Sequence, residues 1–296
     1  MSVQKISSIY HFFAHLMCKR GYLIQDNNLE DFPYPEEIIA AKSKSGFPDM
    51  VLKINEDSEL SGGELIEMKS SKSFQIASFN STIPTAKKRF EELPKNIQDR
   101  LIHSSQNKKE LEYRDVYYLI RGIKQTPSYP LSKTILVGGS FFETISVDDL
   151  LTKSFNQVAI DSMIDPSALN KISSVFKVKQ SKFAKTRQIE NSSVKIRFRV
   201  MTEVDPNANL LNSKIYSMIG DNTLTFLHHE SIDSKQKNFY DWHSVSVEIK
   251  NCIGYRNLNK AYNDIDKDLK LDTKVSILHH PLNGPFFIAQ ASIQPK

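Results

Sequence analysis

Apolar residues near the N-terminus, Ile6, Ile9, Tyr10, Phe13, Leu16 and Met17, recur at helical spacing and predict an amphipathic core helix. Ser7, Ser8, His11 and His15 interrupt that stretch, and no small-residue cleavage site precedes Cys18-Lys19-Arg20, so a signal peptide is the poorer reading. Residues 31–35 form a Pro-rich turn, and residues 36–42 read as a short helix. Two apolar runs follow, 47–54 and 64–69, joined by a polar, Gly-containing segment; this is the pattern of a β-hairpin with a long loop. Residues 70–82 read as a loop. A helix is predicted to begin near Pro84, where proline suits a first turn, and to stop before Pro94. Strands are expected at 115–123 and 134–137. The order helix, strand, strand, helix, strand, strand describes an α/β domain with a mixed sheet flanked by helices.

Beyond residue 165 the periodicity turns to that of strands. Val194, Ile196, Phe198 and Val200 alternate with Lys195, Arg197 and Arg199, as in a half-buried strand with a basic outer face. Further strands are expected at 224–228, 245–249, 275–278 and 286–289. The chain therefore divides into a core over 1–165 and a β-rich basic portion over 166–296, the second being either a separate unit or a continuation of one domain.

Composition narrows the class. At 296 residues, 40% of them hydrophobic and 25% charged, the chain has the make-up of an ordinary globular protein with a sizeable core. No apolar run approaches the roughly 20 residues a membrane-spanning helix needs. Cys18 and Cys252 form no CxxC or Cys/His pattern, which argues against structural zinc or a disulfide scaffold and fits a reducing cytoplasm. The net charge of +5 is unevenly placed. Residues 1–164 are close to neutral, whereas Lys171, Lys177, Lys179, Lys182, Lys185, Arg187, Lys195, Arg197 and Arg199 are opposed only by Glu190. Such a run suits either a nucleic-acid contact or a solvated face.

The first hairpin carries the chemistry. Glu67 and Lys69 are two positions apart on a strand and leave the same face, while Met68 points to the opposite, core-facing side. Folding the chain about Ser58 brings Asp49 opposite them, and cross-strand neighbours about 4.5–5.5 Å apart can share one metal ion. Two carboxylates and a lysine are a sufficient minimal set for metal-dependent phosphodiester hydrolysis: hard oxygens for Mg²⁺, and an ammonium for the attacking water. Glu-x-Lys alone says little. Glu248-Ile249-Lys250 is a second copy, and Asp268-Leu269-Lys270 and Asp272-Thr273-Lys274 are looser ones; a surface salt bridge is the competing account of all four. Pro48-Asp49 opening an apolar strand at hairpin spacing sets the first copy apart.

Gly46-Phe47-Pro48-Asp49-Met50-Val51-Leu52 followed by Gly63-Glu64-Leu65-Ile66-Glu67-Met68-Lys69-Ser70 resembles the signature of the PD-(D/E)xK nuclease superfamily. The length, the single nuclease core and the basic β-rich remainder resemble a type II restriction endonuclease within it. The resemblance implies a restriction-endonuclease-like core, Asp49 and Glu67 as Mg²⁺ ligands with the Met68 carbonyl, and Lys69 as the residue that orients or activates water. Many members add an acidic residue from the helix before the first strand, for which Glu36 and Glu37 are the candidates, Glu37 lying nearer the helix end. It further implies double-stranded DNA as substrate, a homodimer whose two active sites match two strands, and a cognate DNA methyltransferase as a functional rather than stably bound partner. The alternatives are a repair, recombination or transposon nuclease of the same fold, or a non-catalytic DNA-binding module.

Candidate DNA contacts come from residue type and position. Residues 70–82 are dense in hydroxyl and amide side chains of the kind that bond phosphates and base edges, and Lys87, Lys88 and Arg89 follow. Lys72, Asn80 and Lys87 are the contacts expected here, and Arg197 and Arg199, sharing one strand face, are expected further on. The histidines suggest no rival mechanism. His228-His229 and His279-His280 are neighbours that point to opposite faces of a strand, and His243 follows Trp242 without a zinc-hydrolase pattern. No P-loop is present.

Overall fold

The structure, a computed structural model, describes residues 8–25, 27–34, 36–43, 46–53, 63–76, 78–79, 84–103, 112–142, 147–163, 165, 167, 203–229, 276–280 and 283–293. Three helices, α1 (Ser8–Cys18), α2 (Lys95–His103) and α3 (Val147–Asp161), accompany a nine-stranded sheet. Its strands are β1 (Ile39–Lys42), β2 (Met50–Leu52), β3 (Leu65–Ser71), β4 (Lys87–Arg89), β5 (Tyr113–Lys124), β6 (Leu131–Gly138), β7 (Thr223–His229), β8 (Ser276–His280) and β9 (Gly284–Ser292).

The spatial order is β1-β2-β3-β5-β6-β7-β9-β8, with β4 beside the start of β5. The pairs β3–β5 and β6–β7 are parallel and the other pairs antiparallel, so the fold is α/β with a mixed sheet. A parallel neighbour requires a crossover. Between β3 and β5 that crossover contains β4 and α2, and it leaves the C-terminal end of β3 beside the C-terminal part of β5.

Both faces of the sheet are covered. On one, Ile9, Phe12, Phe13, Leu16 and Met17 of α1 meet Met50, Leu52, Ile66, Tyr117, Leu119 and Phe226, together with Leu29, Phe32 and Tyr34 from the segment before β1. On the other, Ile97 and Leu101 of α2, with Ile76, Phe79, Leu210, Leu211 and Tyr216, cover Val51, Leu65, Val116, Tyr118, Ile120 and Ile135. This explains the near-continuous apolar runs in β5 and β6: strands buried on both sides have no solvent face to alternate with. Strands β7, β9 and β8 continue the same sheet from β6. The strands expected at 194–200 and 245–249 lie outside the described residues.

Two local expectations are corrected. Residues 36–42 do not form a helix: a 3-10 turn, Glu36–Ile38, leads into β1, whose Ala41 and Lys42 pair with Val51 and Met50. Cross-strand pairing of an apolar stretch overrides its modest helical tendency. Nor does a helix begin near Pro84. Residues 87–89 form β4 against β5, and Pro94 opens α2 instead of closing an earlier helix, its carbonyl accepting from the Ile97 and Gln98 N–H groups at 2.9 and 3.0 Å. Proline fits there because the first helical turn has no intrahelical partner for its N–H.

Candidate active site

The hairpin register decides where the three charged residues of the motif lie. Met50 pairs with Ile66 and Val51 with Leu65, so Asp49 falls opposite Glu67. Alternation sends Ile66 and Met68 toward α1, and Glu67 and Lys69 to the face of Leu65 and Tyr118. Asp49 is held from both sides. Its carbonyl accepts the Ser43 N–H at 2.8 Å, extending the β1–β2 ladder, and its Oδ2 accepts the Met68 N–H at 2.7 Å. The position that would otherwise continue the ladder beside Met68 is Pro48, which has no N–H to exchange.

The Glu67 side chain, opposite Asp49 in the register, also acts on its carboxyl. Lys69 Nζ lies 3.5 Å from Glu67 Oε1, with side-chain exposures of 16% and 7%. Burial pushes the Asp49 carboxyl above its ordinary range, and the Glu30 charge pushes the same way. The Met68 N–H, the Lys69 ammonium and the Glu67 side chain oppose the shift without reversing it. Two facing carboxyls in a half-dry setting, with one ammonium between them and neutrality, form a site with excess negative charge.

These residues fit a divalent cation of the Mg²⁺ type. Both side-chain donors are hard oxygens, and a cation lying between them would satisfy charge that Lys69 alone does not. Within a strand, the N–H and C=O of one residue leave the same edge, so the Met68 carbonyl is on the Asp49 side. Among the described residues no group of three or more His, Cys, Asp or Glu side chains is placed to hold a metal. A cation held here would have two carboxylates and a carbonyl as its protein donors, with water completing the shell, a pattern Mg²⁺ tolerates because it gives up its hydration shell reluctantly.

Other expected residues fare differently. Glu36 is exposed, and its carbonyl accepts from Lys53 Nζ at 3.2 Å; the Glu37 side chain lies outside what is described. The acid that does reach Asp49 electrostatically is Glu30, in a 3-10 turn at Leu29–Asp31 that rests against β3. Sequence reasoning passed over Glu30 because it sits in a polar stretch before the Pro-rich turn. Leu29, Phe32 and Tyr34, all buried around it, are the signal that this stretch is anchored.

Lys72 is exposed immediately after β3, close to the motif. Lys87 is on β4, not on a helix, and faces Asp115 at 3.9 Å, while Lys88 pairs with Glu92 and Arg89 with Glu91. The three cations of this strand thus have acidic neighbours already. Asn80, Arg197 and Arg199 lie outside the described residues. The segment 70–82 is more than a surface loop: Ile76 and Phe79 are buried, and the Phe79 ring meets Tyr118 at 5.0 Å and Phe142 at 4.8 Å. Tyr118, the β5 partner of Glu67, makes those rings a wall of the site. His280 is a packed ring whose Nδ1 accepts the Asn283 N–H at 3.1 Å.

Comparison with family models, with curated proteins and with solved structures finds no match to this chain.

Proposed function

We propose that this chain is a Mg²⁺-dependent nuclease of the PD-(D/E)xK type, acting on double-stranded DNA as a type II restriction endonuclease. The observation that carries the reading is the placement of Asp49 opposite Glu67 and on the Met68 N–H, Lys69 standing 3.5 Å from Glu67. A structural salt bridge would pair one acid with one base. Here two acids and a lysine are gathered together largely away from solvent, a cost that folding alone gives little reason to bear. The mixed sheet, with the motif hairpin next to a parallel crossover, supports a restriction-endonuclease-like core.

In this reading Asp49 and Glu67 hold Mg²⁺ with the Met68 carbonyl. When bound, the cation supplies charge neutralisation at the scissile phosphate and a more acidic water. Lys69, which stands beside Glu67, would orient or activate the attacking water. The Met68 N–H keeps the Asp49 carboxylate aimed at the same point. Tyr118, Phe79 and Phe142 wall the site on one side and lower the local dielectric, which strengthens each charge interaction. Lys72 is the described cation best placed to meet a phosphate beside the motif strand. A homodimer presents two such sites to the two strands of a duplex.

Incubation of the full chain with unmethylated phage DNA and Mg²⁺, followed by sequencing of the fragment ends, tests this. Discrete fragments with one common end sequence support restriction. Cutting confined to branched or mismatched DNA moves the role to repair or recombination, and inertness with Mg²⁺ and Mn²⁺ alike removes the enzyme reading.

A further inference from the structure

Beyond Lys69 the sheet continues as a braced row across three strands: Ser71 of β3 pairs with Gly122 of β5, and Gly122 with Lys133 of β6. The segment after β3 is laid directly on that row. A Cβ at Gly122 would stand 2.8 Å from the Ser73 carbonyl oxygen and 3.0 Å from the Phe74 ring, so any side chain there would push the segment off the sheet. The Lys133 ammonium lies over the Phe74 ring at 5.2 Å, and Asn209 Nδ2 donates to the Phe74 carbonyl at 3.3 Å. Lys133 also donates to Ser213 Oγ at 2.6 Å, which pins the segment around residue 213 over the same place. From the α1 side, Arg121 Nη2 donates to Ser70 Oγ at 3.3 Å.

Three lysines stand at the margin of this row. Lys72 follows Ser71, Lys124 is the last residue of β5, and Lys214 follows Ser213. All three are exposed, and none has an acidic side chain within ion-pair distance among the described residues. At the other end of the sheet, beside the start of β5, each cation of β4 is matched by an acid. A matched cation gains little from a polyanion, whereas unmatched lysines on one braced surface attract it. Ser71 is four residues past Glu67 on β3, which places the row roughly 13 Å from that carboxyl at about 3.3 Å per residue. Duplex DNA carries one charge per about 1.7 Å of its axis, so a duplex with one phosphate at Glu67 has others level with the row.

We propose that Lys72, Lys124 and Lys214 form a phosphate-binding rim that grips the backbone of duplex DNA beside the cleavage site, on a seat made by Gly122, Phe74 and Lys133. This rests on the nuclease reading for the position of the scissile phosphate. The rim supplies affinity and register without reading sequence, because phosphates are the same at every base pair.

The test is binding of the full chain to a labelled duplex in Ca²⁺, at several salt concentrations. Lys72→Ala, Lys124→Ala and Lys214→Ala should each lower the slope of log affinity against log salt by about 0.9, and the triple variant by about three times as much. The loss should be the same for duplexes of unrelated sequence. Lys87→Ala and Lys88→Ala, on the matched strand β4, should leave the slope unchanged. All five side chains are at the surface, so the variants should melt with wild type. A triple variant with the wild-type slope overturns the proposal, as does an equal loss in the β4 variants or a wild-type chain that binds no duplex. Cleavage in Mg²⁺ separates the two readings. A chain that binds with this slope and never cuts keeps the rim and loses the nuclease; one that cuts while the triple variant keeps the wild-type slope loses the rim alone.

Discussion

Replacing Asp49 by Asn should stabilise the fold while abolishing activity. Asn keeps the side-chain shape and an oxygen for the Met68 N–H, now 2.7 Å from Oδ2, but removes the charge. Burial is the largest cause of the upward shift, and taking a carboxylate partly out of water costs on the order of several kcal/mol before its partners respond. Lys69 returns part of that, and the Met68 N–H a further part. Burial and Glu30 still win, because the Asp49 carboxyl is held above its ordinary value of 3.8. A residual on the order of 1 kcal/mol is what remains after opposing terms of this size. The sign follows from linkage. A carboxyl whose pKa rises on folding takes up protons as the chain folds, so stability falls as pH climbs from the ordinary value through the raised one, and stays lower above it. Asp49→Asn lacks that loss. At pH 7 it should therefore melt roughly 2 °C above wild type, with the gap closing as pH falls toward 4. Thermal or urea unfolding at several pH values measures this. If Asp49→Asn is less stable than wild type at neutral pH, Asp49 is a structural partner of Lys69, and the excess-charge argument fails.

Three further substitutions test the framework around the site. Lys133, with a fully buried side chain, donates to Ser213 Oγ at 2.6 Å and to the Ile219 carbonyl at 2.8 Å, and faces Asp221 at 3.4 Å. Lys133→Ala should cost about 3–5 kcal/mol in urea unfolding, and a loss under 1 kcal/mol would show that this clamp does not hold residues 209–221 to the sheet. At Gly139 a Cβ would sit 2.0 Å from the Thr85 carbonyl oxygen, so Gly139→Ala should destabilise by about 3 kcal/mol or more, whereas Gly21→Ala, with nothing within 4 Å, should change stability by well under that; equal effects would contradict the packing. Thr134 Oγ1 is buried without a hydrogen-bond partner among the described residues, so Thr134→Val should be neutral or stabilising by up to about 1 kcal/mol, and a clear loss in melting temperature would point to a partner for that hydroxyl.

The hairpin was legible because its arithmetic is local. Residues 49 and 67 are symmetric about Ser58, and period-two alternation then assigns Glu67, Met68 and Lys69 to their faces. Strands β5 and β6 were legible for a related reason, as long β-branched and aromatic runs have few other homes. β1 and β4 were not. Each is short, and each becomes a strand only through a partner, β2 for one and the start of β5 for the other. Glu30 was missed because its position depends on Leu29 and Tyr34 packing into the α1-side core, beside β3. Arg121 and Lys133 drew no expectation from the sequence; their burial depends on Asn27, Ser70 and Ser213, which no periodicity connects to them. Charge was the least transferable signal. Lys87, Lys88 and Arg89 read as a basic patch along the chain, yet in space each faces an acid.

The most direct measurement is the initial rate of Mg²⁺-dependent cleavage of duplex DNA by Lys69→Ala against wild type, with equal DNA binding checked in Ca²⁺. The side chain touches Glu67 and is mostly buried, so its removal alters the chemistry far more than the surface that meets DNA. The account predicts that wild type cuts and that the variant is slower by about 10²–10⁴-fold, the span that loss of a positioned proton-transfer group produces. Cleavage by Lys69→Ala at the wild-type rate would place the reaction elsewhere in the chain and contradict the account.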